Sequence, residues 1–455
     1  MSATAVSSPK KVLWGHPRGL LFIGGTELWE RISFHGMQAL LVLYMAESLL
    51  LPGHVERVIG FGAFRGAIEW LTGPLSSQAL AVQIFGLYVG FVYLLPVFGG
   101  MLGDRVLGRR KTITLGALLM TGGHFCMAFE QSFLLALLLL IVGAGLLRGN
   151  LASQLGGLYD EEDRRRDNAF QIYYVCLNLG GVIAPLVTGV LAQSYGWHYG
   201  FGAAGVGMLV GLVIYLSGRR ELPPDKPRNR ATVHLPLTPQ DRRKVRTLCV
   251  MLPILTLFWI AQAQIWNTYN VWARDHVNMI VGQWHMPVPW LQAVDSLSVV
   301  VLMPPLLQFW KWRRRSGGTP DELARMALGC VLFGAAVAWL AAAGLVFGAT
   351  GQVPLVWAIA YHLLAAVGYL YFAPTAVAFF SRAAPASVNA MMIGVYYLCI
   401  FAGSTLSGRL GGLYEQFPPS QFWAIHACSA ALGGLVLFSL RTALQRNLEM
   451  MPLHA

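Results

Sequence analysis

The chain has 455 residues, of which 56% are hydrophobic and only 12% are charged, and its formal net charge is +12 at pH 7. Soluble domains carry about 25% charged residues, so this composition excludes a soluble globular protein and predicts an integral membrane protein. At about 20 apolar residues per span, the length allows about twelve helices. The positive charge is expected in cytoplasmic loops, and nucleic acid is not expected as a partner.

The positions of the basic residues predict the orientation of the chain. They gather at residues 10–18, 105–111, 164–166, 219–246, 311–325, 382 and 441–446. The intervening loops hold only Arg57, Arg65 and Arg274. Because Lys and Arg concentrate on the cytoplasmic side, we expect both termini in the cytoplasm and an even number of spans. No apolar signal region with a small-residue cleavage site precedes the first span, so that span is expected to be retained.

The first predicted span, residues 22–43, is apolar but contains three ionisable residues. Glu27, Glu30 and Arg31 are spaced i, i+3 and i+4, so they share one face of a helix. Ionisable residues inside a membrane are costly, and by default they mark an ion or substrate pathway. Two acids against one base leave one carboxylate able to take a proton. The alternative is a buried ion pair that only fixes helix packing.

The same span resembles the first-helix motif of the proton-dependent oligopeptide transporters, a branch of the major facilitator superfamily. The matching residues are Glu27, Glu30, Arg31, Gly36 and Met37. The resemblance implies two pseudo-symmetric six-helix bundles around a central cavity, and proton-driven uptake of di- and tripeptides. It also implies substrate-binding positions at Phe34 and His35, where the family has a tyrosine pair, and at Gln38, where it has an arginine.

The second predicted span, residues 78–102, follows an outer loop with a short amphipathic piece and runs into the sequence GGMLGDRVLGRRKTI. Its glycines permit close helix contact. We expect a charged hinge at the inner surface, formed by Asp104, Arg105, Arg109 and Arg110. This stretch resembles the superfamily signature between helices two and three.

Arg148 lies well inside the fourth predicted span, residues 133–155, which follows a third span at residues 112–129. A lone intramembrane arginine is either a snorkelling anchor or a charge that lines a pathway. The neighbouring Gly145 and Gly149 favour close packing and therefore the second interpretation. The resembling family has a lysine at this point, so Arg148 matches its position and charge.

The fifth predicted span opens with AFQIYYVCLNLGG. Tyr173, Tyr174 and Asn178 resemble the second signature of the family, an aromatic pair followed by Asn-x-Gly. The alternative is an ordinary aromatic belt, since Tyr favours the membrane interface. Asn178, one turn deeper, is not explained by such a belt.

A stretch rich in charge and proline follows the sixth span, which ends near Ser217. It predicts three parts: an N-terminal six-helix bundle at residues 1–218, a cytoplasmic linker at 219–246, and a C-terminal six-helix bundle with a short tail at 247–455. Many bacterial relatives of the resembling family insert two extra helices here. This linker has no long apolar segment, so twelve spans are predicted.

The second half departs from the family pattern at its acidic positions. The remaining spans are expected at residues 247–272, from 290, at 323–347, at 355–380, from 389, and up to about 440. Trp259 aligns with a family tryptophan, but Ala263 falls where the family has an acid. Asp295 replaces an asparagine and Tyr369 replaces a glutamate, while Tyr396 lies in a stretch close to the family spelling.

These departures leave the ligand open. A peptide needs a cation for its carboxylate and an anion for its ammonium group. Arg148 is the obvious carboxylate clamp, and Asp295 either takes over the amine or belongs to a site with a different substrate; a third interpretation has it pair with a polar neighbour. Arg148 keeps its proton at any accessible pH, so proton transfer falls to Glu27, Glu30 or Asp295, with His35 as a further candidate.

Other classes of function are less well supported by the sequence. The six cysteines lie within or at the edges of apolar runs without a CxxC pair, so neither a disulfide framework nor a metal site is expected. No enzyme motif occurs in a recognisable frame, and no cofactor is expected. A ligand sensor that does not transport remains an alternative. We expect an integral protein of a bacterial inner membrane, whose partners are a small-molecule substrate, protons and the lipid bilayer.

Overall fold

A computed structural model describes residues 12–13, 15–160, 162–225, 237–317, 321–348 and 351–448. The first half of the chain forms α1 (Gly19–Tyr44), α2 (Phe61–Thr72), α3 (Ser77–Leu102), α4 (Arg109–Cys126), α5 (Phe133–Gly156), α6 (Arg165–Tyr195) and α7 (Trp197–Ser217). The second half forms α8 (Pro239–Ala263), α9 (Thr268–His276), α10 (Trp290–Arg315), α11 (Glu322–Val346), α12 (Leu355–Ala383), α13 (Asn389–Gly411) and α14 (Pro419–Leu448). Within these ranges the strands are confined to two short antiparallel hairpins, β1 (Val12–Leu13) with β2 (His16–Pro17) and β3 (Ile280–Val281) with β4 (Trp284–His285).

Ten helical stretches in the described part of the chain are long and apolar enough to cross a membrane. The predicted all-helical membrane architecture is therefore confirmed. The helices α1 and α4 fall outside this set. The first carries Glu27, Glu30 and Arg31, and the second begins with three consecutive basic residues at 109–111. Charges of this kind lower mean hydropathy without shortening the helix.

The seventh span differs from the continuous helix that the sequence predicts over residues 247–272. The helix α8 ends at Ala263, a 3₁₀ turn follows over Gln264–Trp266, and α9 begins at Thr268. Asn267 between them leaves helical geometry, with φ −112° and ψ −109°. Neither Gly nor Pro occurs at this break, so its sequence carries no recognised signal for it. The predicted amphipathic piece of the outer loop is α2.

The chain divides into two compact units. The first comprises residues 1–37 and 95–230, where α4 packs against α5 and α7. The second comprises residues 38–94 and 231–455, where α11 packs against α12 and α14, and α8 packs against α13 and α14. Both boundaries in the first half fall inside helices, α1 and α3. Residues 226–236 of the predicted linker and 449–455 of the predicted tail lie outside the described residues.

Glycines bring the backbones of α3, α4 and α5 into direct contact in the first unit. A Cβ atom on Gly99 of α3 would lie 2.0 Å from the carbonyl oxygen of Gly145 on α5. A Cβ atom on Gly116 of α4 would lie 2.7 Å from the carbonyl oxygen of Gly143. Small residues of this kind let membrane helices approach closely where hydrophobic driving force between helices is lacking. These contacts fix α5, and with it Arg148.

The contact at Gly99 gives a stability prediction with a neighbouring control. Gly99→Ala should lower the thermal unfolding temperature in detergent, because the methyl group meets backbone that cannot yield; overpacking costs about 1–3 kcal/mol. Gly100 lies in the same helix, and a Cβ atom there would have no neighbour within 4 Å. Gly100→Ala should therefore match or exceed the parent. Equal unfolding temperatures for the two variants would show that the helices do not depend on this contact.

Candidate functional site

Four ionisable side chains form a buried cluster in the first unit. Arg31 Nε lies 2.7 Å from Glu27 Oε1 and 2.8 Å from Glu30 Oε2. Arg148 Nε donates a hydrogen bond of 3.1 Å to Glu30 Oε1. Glu27 and Glu30 are 1% and 0% exposed. Because a buried charge is tolerated only beside an opposite charge, each carboxylate depends on at least one guanidinium.

Arg148 changes the charge count that the sequence gives for this region. The spacing on α1 alone sets two acids against one base and leaves one carboxylate over. In the structure Arg148 reaches Glu30 from α5, so two carboxylates face two guanidinium groups. The cluster is balanced when all four groups are ionised. Protonation of either carboxylate would therefore leave the cluster with a net positive charge.

Aromatic side chains hold the cluster in place. The Arg148 guanidinium carbon lies 3.9 Å from the centre of the Phe34 ring, a cation–π contact. The Tyr173 hydroxyl donates a hydrogen bond to Glu27 Oε2. Arg148 Nη2 is buried and makes no hydrogen bond within the described ranges. Arg148 thus has one edge on Glu30, one face on Phe34, and a donor that remains available.

In the Asn-x-Gly part of the predicted signature, the glycine is the residue that packs against α1. A Cβ atom on Gly180 of α6 would lie 2.5 Å from the Cβ atom of Arg31. Only glycine allows α6 to approach α1 at this level, and this approach places Tyr173, two turns earlier on α6, beside Glu27. Asn178 itself donates to the backbone oxygen of Tyr174 at 2.8 Å, which is a contact within one helix.

The remaining predicted residues of α1 and α6 differ in burial and in the contacts that they make. His35 is half-buried, and its ring meets that of Phe34 edge to face at 5.2 Å. Tyr174 is 37% exposed and does not face Glu27 as Tyr173 does. Gln38 is buried, but it belongs to the second compact unit. Of the three substrate positions on α1, Phe34 contacts the charged cluster directly.

The predicted aromatic residues of the second unit form a wall around Trp259. The Tyr369 ring meets the Trp259 ring edge to face at 6.5 Å. A Cβ atom on Gly403 of α13 would lie 2.4 Å from the Trp259 Cβ atom, so α13 packs directly on this tryptophan. Tyr396 is 1% exposed, and its ring lies 5.3 Å from that of Phe380. Aromatic surface therefore stands where the resembling family has a glutamate.

Asp295 has partners in the second unit that its sequence neighbourhood does not indicate. Its Oδ1 lies 3.4 Å from Nδ1 of His362 on α12, and its Oδ2 accepts a hydrogen bond of 3.3 Å from Trp266 Nε1. His362 is a partner of Asp295 that the sequence does not predict. A weak signal exists, since His362 precedes Tyr369 by seven residues and so shares its helix face.

Polar side chains surround the break between α8 and α9, and one of them satisfies a backbone carbonyl there. Gln292 Nε2 on α10 donates to the carbonyl oxygen of Ile265 at 2.8 Å and to Asn270 Oδ1 at 2.6 Å. Asn267 Nδ2 donates to the carbonyl oxygen of Val82 at 3.1 Å. Backbone groups that leave a helix inside a membrane require such partners. The break is therefore a built feature of the second unit.

Arg274 joins the ends of three helices on the side predicted to face outside. Its Nη1 donates to Glu47 Oε1 at 3.3 Å and its Nη2 donates to Gln78 Oε1 at 3.1 Å. Its Nε also donates to Asp275 Oδ1 at 2.7 Å. All of these residues belong to the second unit. Arg274 thus ties α9 to the segment after α1 and to the start of α3.

Three of the four predicted hinge residues make contacts on the side that is predicted to face the cytoplasm. Arg109 Nε donates to Asp104 Oδ1 at 3.0 Å, and its Nη1 donates to the carbonyl oxygen of Ser153 at 3.3 Å. Arg110 Nε donates to the carbonyl oxygen of Pro223 at 3.0 Å, in the segment after α7. Arg105 is exposed and contacts none of these groups. The predicted hinge is thus two separate contacts, with Arg105 outside both.

Comparison with known protein families shows to which family the chain belongs. A model of the POT family matches residues 110–235 and 231–426, which is most of the sequence. The chain belongs to the POT family. It is 28% identical over 490 residues to the uncharacterized transporter YclF of Bacillus subtilis (strain 168), covering 95% of each chain. It is 25% identical over 509 residues to a di-/tripeptide transporter of Lactococcus lactis subsp. cremoris, covering 96% of this chain and 97% of that one.

Solved structures of POT proteins share the fold. A peptide transporter POT crystallised with sulfate is 25% identical and superposes with a TM-score of 0.83 over 97% of this chain and 98% of that one. A POT family transporter crystallised with 5-aminolevulinic acid is 23% identical, with a TM-score of 0.82 over 96% and 98% of the two chains. This POT member is accordingly an integral transporter of the plasma membrane and not an enzyme.

The charge balance of the cluster gives a prediction that a second substitution can reverse. Arg31→Met should lower stability in detergent by about 3–5 kcal/mol, because it leaves the buried Glu27 carboxylate without a cation. Adding Glu27→Gln should recover part of this loss, since the buried charge is then removed too. Thermal unfolding of parent, single and double variants is the measurement. A double variant less stable than Arg31→Met would contradict the account.

Proposed function

We propose that this protein is a proton-coupled symporter of di- and tripeptides that works by alternating access. The observation that carries the proposal is the contact between Arg148 and Glu30 in a charge-balanced, buried cluster. Arg148 is the group suited to a substrate carboxylate, and Glu30 is a group suited to a proton. Because Arg148 and Glu30 contact each other, binding of a substrate carboxylate to Arg148 alters binding of a proton to Glu30, and the reverse.

The architecture that we propose has twelve spans and both termini in the cytoplasm. The helices α1 and α4 add two spans to the ten that qualify by hydropathy. Two six-helix bundles at residues 1–218 and 247–455 would then be joined by the linker at 219–246. The distribution of basic residues supports this orientation, because an even number of spans places every basic stretch on one side.

The proposed coupling follows from the chemistry of the two residues. Arginine remains protonated at any accessible pH, whereas a glutamate can become neutral. When Glu30 takes a proton, its hold on Arg148 weakens, and Arg148 Nη2 and Nε become available to a substrate carboxylate. The substrate in turn displaces Arg148 from Glu30 and favours protonation of that acid. By linkage, proton and substrate therefore promote each other's binding.

The substrate class is proposed from the relatives and from the cation. Two of the similar proteins are di-/tripeptide transporters of Lactococcus lactis, and a structural relative was crystallised with 5-aminolevulinic acid. Dipeptides, tripeptides and 5-aminolevulinic acid all carry a carboxylate, and the Arg148 guanidinium is suited to bind one. A non-peptide substrate with a carboxylate is the second candidate, since Ala263 and Tyr369 replace acids that the resembling family has.

The first test concerns the proton. Glu30→Gln should abolish accumulation of dialanine driven by an inward proton gradient in proteoliposomes, because an amide cannot take up the proton. Counterflow exchange, which requires no net proton movement, should survive in part. Glu162→Gln at an exposed acid is the control and should behave as the parent. Unchanged gradient-driven accumulation in Glu30→Gln would overturn this role.

The second test concerns the carboxylate. Arg148→Ala should weaken dialanine binding by about 2–5 kcal/mol, the usual cost of truncating one partner of a buried charged pair. Arg148→Lys should recover part of this, since it keeps a point charge but lacks the planar guanidinium. Competition binding with purified protein measures both. Binding by Arg148→Ala at the affinity of the parent would remove Arg148 from the substrate site.

A further inference from the structure

Asp295 and His362 form an acid–base pair inside the second unit. The His362 side chain is fully buried and the Asp295 side chain is 15% exposed, with Oδ1 and Nδ1 3.4 Å apart. Within the described ranges, no Lys or Arg lies within salt-bridge distance of Asp295. The pair thus differs from the cluster in the first unit, where both acids face arginines that cannot release a proton.

The groups around the pair are aromatic. Tyr269 of α9 meets the His362 ring edge to face at 5.0 Å, and the Tyr361 ring lies 5.2 Å from it. These two tyrosines are the titratable groups that face the pair from α9 and α12, and Trp266 donates to Asp295 from the break. His426 of α14 is engaged elsewhere, with Gln264 and the Phe422 carbonyl oxygen.

The pair has a place for one additional proton. An ionised Asp295 accepts only, so the contact between Oδ1 and Nδ1 requires a hydrogen on His362 Nδ1. The neutral ring then carries a lone pair on Nε2, and that buried nitrogen makes no hydrogen bond with any described residue. A proton added at Nε2 gives an imidazolium beside a carboxylate, and the buried negative charge is neutralised. Its loss restores the original state.

The location of the pair connects it to the outer ends of the helices. Asp295 is the sixth residue of α10 and His362 is the eighth of α12, both near the ends predicted to face outside. Trp266 and Tyr269 flank Asn267 at the break, and α9 continues from there to Arg274. The pair therefore contacts both sides of the break, and the segment that begins there ends at Arg274, which contacts Glu47 and Gln78.

We infer that Asp295 and His362 are a second proton-binding site, and that its protonation controls the Arg274 contacts through α9. The inference rests on the proposed symport, since the proton bound here is one that drives transport. His362 is a positioning and proton-carrying residue that contacts no proposed substrate group. In this chain the pair supplies, on α10 and α12, a carboxylate and an imidazole, whereas Ala263 and Tyr369 provide neither group.

The first experiment needs no substrate. Infrared difference spectra of the full-length protein are recorded for pH steps between about 5 and 8. The carboxylate component of the parent should disappear in Asp295→Asn, and the imidazole component should disappear in His362→Gln. His426→Gln, a buried histidine with both nitrogens engaged, should keep both components. An Asp295→Asn spectrum that superposes on the parent spectrum would overturn the inference.

The second experiment measures the coupling between proton movement and dialanine uptake in proteoliposomes. The ratio of gradient-driven uptake to counterflow should fall about tenfold in Asp295→Asn and in His362→Gln, a change typical of coupled binding sites. It should remain at the parent value in His426→Gln. An unchanged ratio in His362→Gln would overturn the inference. Absence of accumulation by the parent would instead refute the proposed function, while the infrared result would still decide on the proton site.

Discussion

The cost of holding charge inside a membrane governs this structure. Glu27 and Glu30 are buried in a helix surrounded by apolar spans, and they are tolerated because Arg31 and Arg148 lie against them. Much of the first unit serves that requirement. Gly180 lets α6 reach α1, glycine contacts fix α5, and Phe34 covers the face of Arg148. Because the charges of the cluster are balanced, a proton or a substrate carboxylate that binds one member weakens the contact of that member with its partner.

The second unit handles the same constraint with different chemistry. Arg274 lies at the ends of helices, whereas the interior holds Asp295 against a histidine and several aromatic rings. A histidine can change charge where an arginine cannot. The break at Asn267 lies beside this pair and turns the seventh span into two segments. The first unit thus pairs its buried acids with arginines, whereas the second pairs its acid with a histidine.

Much of the fold and part of the site could be predicted from the sequence, for identifiable reasons. Hydropathy and basic clusters define most spans, and the spacing of Glu27, Glu30 and Arg31 places them on one helix face. Contacts between distant helices could not be predicted in this way. The approach of Arg148 to Glu30, 118 positions away, depends on how α5 packs. The break at Asn267 carries no local signal, and His362 carries only a weak one, because their partners lie on other helices.

In the proposed mechanism a proton gradient drives accumulation of the substrate, and this can be measured on the unmodified protein. Proteoliposomes are loaded without substrate, the membrane potential is clamped at zero, and an inward proton gradient is imposed in the presence of labelled dialanine. The account predicts that the internal concentration rises above the external one and collapses when the gradient is dissipated. Uptake that stops at equal concentrations with the gradient intact would contradict it.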